Sequence, residues 1–298
     1  MDKYRYVICI YGKKIIINTN KEIIIENIRN YYEDFILLKE DNSYIDFKFY
    51  ILNDNDLYNN NKMQHLCKTK YYKENIHYIY FKELLISINT ATRKIIILSK
   101  RITNDFLQDI NRIILNVLYK LMEKDNIFFI EAGGIAINNK TVLLIGEKNI
   151  IKDILYSFLK LDYNYISTES IGIKKDFNNI NIFNLPEKTK MRETFKDKII
   201  LNTFLKRIIL FENDWKLKKN KFSKVNKQEF FQTLRTKHEK HCKKYIKYID
   251  NIFNSNKIEN IDYDDIYDNI EIIKYSYNKY DLQSIIEDIN NVNIFRNL

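Results

Sequence analysis

A chain of 298 residues with 45% apolar and 14% aromatic side chains buries a sizeable core, has room for two modest domains and is not intrinsically disordered. Its net charge is +10, and the stretch Lys206 to Lys247, with 14 Lys/Arg against 4 Asp/Glu, accounts for all of it. The opening MDKYRYVICIYGKK has no charged leader ahead of an apolar core, and no uncharged apolar window reaches the roughly 18 residues of a membrane span. Cys9, Cys67 and Cys242 are odd in number and far apart, which argues against a disulfide framework, so a reducing cytoplasm is the expected setting.

From the first residues, Tyr4 to Ile10 and Lys14 to Ile17 read as strands around a Gly12-Lys13 turn. Ile24, Ile28, Tyr31 and Phe35 recur at helical spacing, and Ile45, Phe47, Phe49 and Ile51 alternate with polar residues as a half-buried strand. NDNDLYNNNK, residues 53–62, is a polar low-complexity loop. Leu84 to Ile88 and Lys94 to Leu98, joined by NTATR, form a second hairpin. This β-rich stretch carries no chemistry and reads as a scaffold or docking domain.

Period 3.6 takes over from Thr103, with Leu107, Ile110, Ile114, Val117, Leu118 and Leu121 on one face and Thr103 or Asn104 as the N-cap. Strands are expected at Ile127 to Glu131, Ile135 to Ile137 and Thr141 to Ile145, then a helix to about Lys160, then strands at Asn164 to Ser167, Ser170 to Ile173 and Asn179 to Phe183. Beyond Leu201 the pattern reads as mostly helical, with Phe230, Leu234, His238, His241 and Tyr245 along one face. The tail turns acidic at Asp262, Asp264, Asp265 and Asp268, so the basic and acidic stretches either face each other or offer an anionic-partner site.

The segment with chemical content is GEKNIIKD, residues 146–153, between an apolar strand and a helix. A phosphate loop, G-x-x-x-x-G-K-[ST], curls backbone N–H groups around an anion at a helix N-terminus, with Lys on the terminal phosphates and a hydroxyl on Mg²⁺. Gly146 and Lys152 keep the spacing, whereas Ile151 replaces the second Gly and Asp153 the hydroxyl. A β-branched residue resists φ > 0 and close backbone approach. Read alone, the pair is also what a plain strand-turn-helix provides.

The wider order from Phe128 to Lys174, with FFIEAGG, INNKTVLLIGEKNIIKD and ISTES, resembles the HPr kinase/phosphorylase family and its phosphoenolpyruvate carboxykinase-like core. Residues 104–195 carry the likeness, and Asn184-Leu185-Pro186 with Met191-Arg192 is similar to the family's Pro-containing segment with its basic residue. The resemblance implies ATP with Mg²⁺ as cofactors of an active member. It places Gly146, Lys148, Lys152 and Asp153 on nucleotide, Ser167 and Arg192 on substrate or phosphate, Glu169 and Glu131 as catalytic carboxylates, and Asp153 with Glu169 on Mg²⁺. Glu131 stands where the family has His, and Thr168-Glu169 where it has paired Asp residues. The family is also oligomeric, though no interface is legible here.

The chain is therefore expected to be α/β: a small N-terminal α/β domain at 1–102, an HPr kinase-like mixed-sheet core with a degenerate P-loop at 103–200, and a mostly helical basic and acidic region at 201–298. The first functional reading is a catalytically impaired kinase-like protein, without cofactor, that binds a peptide or protein in a modification or regulatory complex. The alternatives are an active ATP-dependent Ser/Thr kinase of a peptide or small protein, and a nucleic-acid binder through the basic segment 206–247, via Lys216 to Lys247, in which the stretch Lys216 to Lys227 carries Phe222 within it and Trp215 just before it. His238, His241 and Cys242 sit at metal-ligand spacing on one helix face, with only His65 or Cys67 as distant partners and lysines all around, so a packed helix surface is the preferred reading.

Overall fold

Apolar strands pair side by side through their backbone groups, and this chain arranges them in two mixed sheets. The computed structural model describes residues 4–37, 44–54, 58–59, 72–73, 75–81, 83–161, 163–176, 179–187, 189–245, 263–278 and 281–291. The chain divides into two compact units, Met1–Asp125 with Tyr245–Asn256, and Asn126–Lys244 with Lys257–Leu298. The sequence boundary at 102 is thus displaced: the helix Asn104–Glu123 belongs to the first unit.

In that unit a seven-stranded sheet runs β1-β2-β3-β7-β6-β5-β4, with β1 Tyr4–Ile10, β2 Lys13–Thr19, β3 Phe47–Asn53, β4 Tyr72–Lys73, β5 Ile76–Phe81, β6 Leu84–Asn89 and β7 Lys94–Ser99. The first turn is Tyr11-Gly12, one residue earlier than expected, because Ile10 pairs with Lys13 and the turn puts both central residues at positive φ, 47° and 75°. β3 alternates as expected, with Phe47, Phe49 and Ile51 buried and Lys48 exposed. It lies parallel to both β2 and β7. Thr103 caps the 104–123 helix, its hydroxyl accepting from Phe106 N at 3.2 Å. That helix is tied to the Glu22–Tyr32 helix by Tyr32 Oη donating to Asn111 O at 3.0 Å. Most of the expected 53–62 loop lies outside the described residues.

The second unit is built on β8 Phe128–Ile130, β9 Gly133–Ile137, β10 Lys140–Ile145, β11 Asn164–Tyr165, β12 Ile171–Asp176, β13 Asn179–Asn184, β14 Asn202–Asn213, β15 Lys221–Lys224 and β16 Glu271–Tyr277. The order is β11-β9-β10-β14-β13-β12-β8, with β16 beside β14 and β15 beside β16. β10, β14 and β16 are mutually parallel. Their residues alternate between two cores: Leu143, Ile145, Ile208 and Leu210 on one face, and Val142, Leu144, Ile209 and Phe211 on the other. Phe230 and Leu234 of the helix Lys227–Tyr245 and Ile266 of the helix Tyr263–Asn269 cover the first face. The helix Lys148–Lys160 and the helix Leu282–Asn291 cover the second. A parallel strand pair buried on both faces needs such a three-layer arrangement.

Among the described residues after Leu201 helix outweighs strand, as expected, but the region is not separate from the preceding core: both belong to the second unit. It supplies β14, β15 and β16, and β14 lies between β10 on one edge and β13 then β16 on the other.

Candidate functional site

β10 runs into the 148–160 helix through only two residues. Gly146 leaves the strand, Glu147 has extended φ/ψ of −69° and 131°, and helical geometry starts at Lys148. Ile151 N already donates to Glu147 O at 3.0 Å. The stretch expected as a loop between Gly146 and Lys152 is thus, from Lys148 on, the helix's first turn. The cause is burial: Ile150 and Ile151 are 6% and 3% exposed and continue the apolar face of Ile154, Leu155 and Phe158. Gly133 lets this helix approach β9, since a Cβ there would lie 2.5 Å from Leu155 Cδ1 and 2.6 Å from Ile151 Cγ2. Gly146 is likewise a packing residue, because a Cβ on it would meet Phe211 Cβ at 2.8 Å.

A cleft of about 490 Å³ opens at the carboxyl ends of β10 and β14, the place where open sheets with parallel strands bind ligands. Its walls are the start of the 148–160 helix, the Thr168-Glu169 turn, and the stripe Glu229, Thr233, Lys237 and Lys240 on the 227–245 helix. The spacing of four, four and three puts those residues on one face, beside the buried Phe230, Leu234, His238 and His241. Asn226 starts that helix, its Oδ1 accepting from Glu229 N at 2.8 Å.

Several charges in the cleft are paired with each other. Glu169 Oε1 lies 2.7 Å from Lys148 Nζ and 3.1 Å from Lys152 Nζ. Partial burial raises the Glu169 pKa, but hydrogen bonds from the two lysines outweigh it, and the carboxyl titrates below the usual glutamate value. Lys274 Nζ joins Glu212 Oε2 at 2.6 Å to Glu229 Oε1 at 2.7 Å, and these hydrogen bonds raise its pKa. Glu131 Oε2 pairs with Lys240 at 3.3 Å, and Lys237 donates to Gly146 O at 3.0 Å. Burial and the neighbouring Lys240 pull the Lys237 pKa down against the attraction of Glu131.

Beneath the Thr168-Glu169 turn sits Glu187, 5% exposed. Its Oε2 accepts from Ser167 Oγ at 2.8 Å, and its Oε1 accepts from Thr168 N at 3.2 Å and Thr168 Oγ1 at 3.3 Å. Burial raises its pKa, with Ser167 and the Arg192 charge acting the other way. Ser167 Oγ in turn accepts from Glu169 N and Ser170 N at 3.2 and 3.1 Å. The hydroxyl is thereby fixed inside the turn.

Of the residues singled out in the sequence, Glu131, Gly146, Lys148 and Glu169 line the cleft, and Lys152 reaches it through Glu169. Ser167 lies buried beneath it, and Asp153 is exposed on the helix. Neither Asp153 nor Arg192 lines the cleft, and Arg192 Nη1 donates to Asn184 Oδ1 at 3.3 Å. A carboxylate thus sits between the two lysines, and Asp153 and Glu169 do not share the cleft. No group of three metal-ligating side chains occurs among the described residues.

His238 Nδ1 lies 2.9 Å from Phe129 O, and His241 stacks on Phe129 with Nδ1 3.4 Å from Ser170 Oγ, so both rings are packing elements. His65, Cys67 and the side chain of Cys242 lie outside the described residues. Glu187, Glu212, Glu229 and Lys274 were not legible as site residues. Glu187 directly follows the Asn184-Leu185-Pro186 segment, and that adjacency was its one sequence signal.

No protein-family model matches the chain, and no curated protein is similar to it by sequence. Among solved structures, the Hpr(Ser) kinase/phosphatase from Coxiella burnetii is similar over 56% of this chain and 97% of its own, at 11% identity and a TM-score of 0.33. No helix among the described residues is long and apolar enough to cross a membrane.

Proposed function

We propose that the chain is a divergent HPr kinase-like protein that does not carry out phosphoryl transfer and acts as a peptide- or protein-binding component of a modification or regulatory complex in the cytoplasm. The observation that carries this reading is the Glu169 carboxylate held between Lys148 and Lys152. Phosphoryl transfer depends on cations positioned around the transferred group, and here an internal anion already occupies the two lysines. The order of segments from Phe128 to Lys174 supports the kinase-like ancestry, and the cleft at the strand ends supports a retained binding role.

With γ-labelled ATP and Mg²⁺, the wild-type chain should transfer no more label to Ser-containing peptides or to water than Lys152→Ala does. Transfer abolished by Lys152→Ala would instead favour the active Ser/Thr kinase. A second expectation concerns the carboxylate itself. Glu169→Gln leaves two ammonium groups facing a neutral amide, so at low ionic strength its affinity for pyrophosphate should rise about tenfold over wild type, as measured by calorimetry. An unchanged affinity would show that Glu169 does not neutralise the pair.

A further inference from the structure

The basic segment divides into two parts in the structure. On the 227–245 helix four cations are engaged: Lys227 with Asp268, Arg235 with Glu239, Lys240 with Glu131, and Lys237 with Gly146 O. The stretch between β14 and that helix differs. Lys216, Lys218, Lys219, Lys221 and Lys224 are all exposed, residues 215–226 contain no Asp or Glu, and none of the five has a carboxylate within 4.0 Å among the described residues.

Trp215 stands at the head of this stretch and is 76% exposed, the most exposed of the large hydrophobic residues among those described. This loop is pinned. Asp214 N donates to Tyr277 O at 2.8 Å, Lys216 N to Asp214 Oδ1 at 3.1 Å, and Leu217 N to Asp214 O at 3.1 Å. Asn278 Nδ2 donates to Leu217 O, and Asn220 Nδ2 lies 3.3 Å from both Ser284 Oγ and Asp288 Oδ2. The turn is closed on itself and tied to β16 and the 282–291 helix, so the backbone that carries the exposed indole is fixed. Lys216 Nζ lies 5.2 Å from its ring centroid.

We infer that Trp215 and the lysines of residues 216–224 form a binding surface for single-stranded nucleic acid, the indole stacking on a base and the lysines following the phosphates. Aromatic faces next to unpaired cations are how sequence-tolerant single-strand binders work. An acidic peptide would use the lysines but gives the exposed indole no role. An anionic membrane would need more apolar area than one ring. The surface is distinct from the cleft residues, so it stands or falls independently of the kinase-like reading.

Trp215 is the sole tryptophan in the chain, so its emission reports directly on the site. Titration with an oligothymidylate of about 12 nucleotides at low salt should quench that emission to saturation. By anisotropy of the labelled oligonucleotide, Trp215→Ala should bind about tenfold more weakly. The double variant Lys218→Ala, Lys219→Ala should flatten the slope of log affinity against log salt by about 1.4. Both changes are at exposed positions, and circular dichroism checks that the variants fold. No change in emission at about 100 μM oligonucleotide, or equal affinity in Trp215→Ala, would overturn the inference. So would a response to polyglutamate or phosphatidylserine vesicles without one to the oligonucleotide, which would assign the surface to an acidic peptide or a membrane.

Discussion

Ile151→Gly, which restores the missing glycine of the phosphate-loop pattern, should lower the unfolding free energy by about 4 kcal/mol and confer no nucleotide binding. Ile151 is 3% exposed and packs in one cluster with Leu155 and Phe158 of its own helix and Val142 and Leu144 of the adjacent strand. Removing its side chain opens a cavity against Gly133, whose missing Cβ is what allows Ile151 to sit there. The glycine also weakens the first turn of the helix at the position where Ile151 N closes its hydrogen bond to Glu147 O. Urea unfolding followed by circular dichroism measures the loss. A variant as stable as wild type, or one that gains nucleotide affinity, would mean that residues 147–151 form a loop rather than a packed helical turn.

Glu187→Ala should cost about 3 kcal/mol, because Ser167 Oγ, Thr168 N and Thr168 Oγ1 lose a buried acceptor together. Glu187→Gln keeps the shape and an acceptor oxygen and should cost about 1 kcal/mol at neutral pH. The pH dependence gives a sharper signature. Burial raises the folded-state pKa of Glu187 above its ordinary 4.5, so the folded state binds the proton more tightly than the unfolded chain. That contribution is complete below pH 4.5 and is lost as pH rises through the folded value.

Glu169 has the opposite sign. Its folded pKa lies below 4.5, so its contribution is present above 4.5 and lost as pH falls through the folded value. The stability difference between wild type and Glu187→Gln should therefore shift against wild type as pH rises above 4.5, and the variant should lack that decline. Parallel curves for the two proteins would show that Glu187 titrates alike in both states.

Much of the second unit was legible because local patterns and packing agree there. Thr141 to Ile145 is apolar on both faces, as a central parallel strand must be, and Thr103 was recognisable as a cap. The start of the 148–160 helix was legible too: Ile150, Ile151, Ile154, Leu155 and Phe158 already fall on one helical face. Comparison with a loop motif pulled the reading away from that periodicity, yet burying the two isoleucines decides the geometry.

β14 and β16 were not legible because parallel partners are distant in sequence: Arg207 pairs with Glu271, and nothing in NTFLKRIILFEN announces EIIKYSY as its neighbour. The lysine partners were hidden for the same reason. Lys274 comes from one element and Glu212 and Glu229 from two others, so their meeting is a property of the sheet order rather than of any stretch of sequence.

If the chain's own carboxylates close this cleft to nucleotide phosphates, calorimetric titration of ATP with Mg²⁺ into the wild-type protein and into Lys152→Ala, at moderate salt, should give no binding heat in either protein. Binding to the wild type with a Kd of about 1 mM or tighter, lost in Lys152→Ala, would show instead that the cleft holds nucleotide through Lys152.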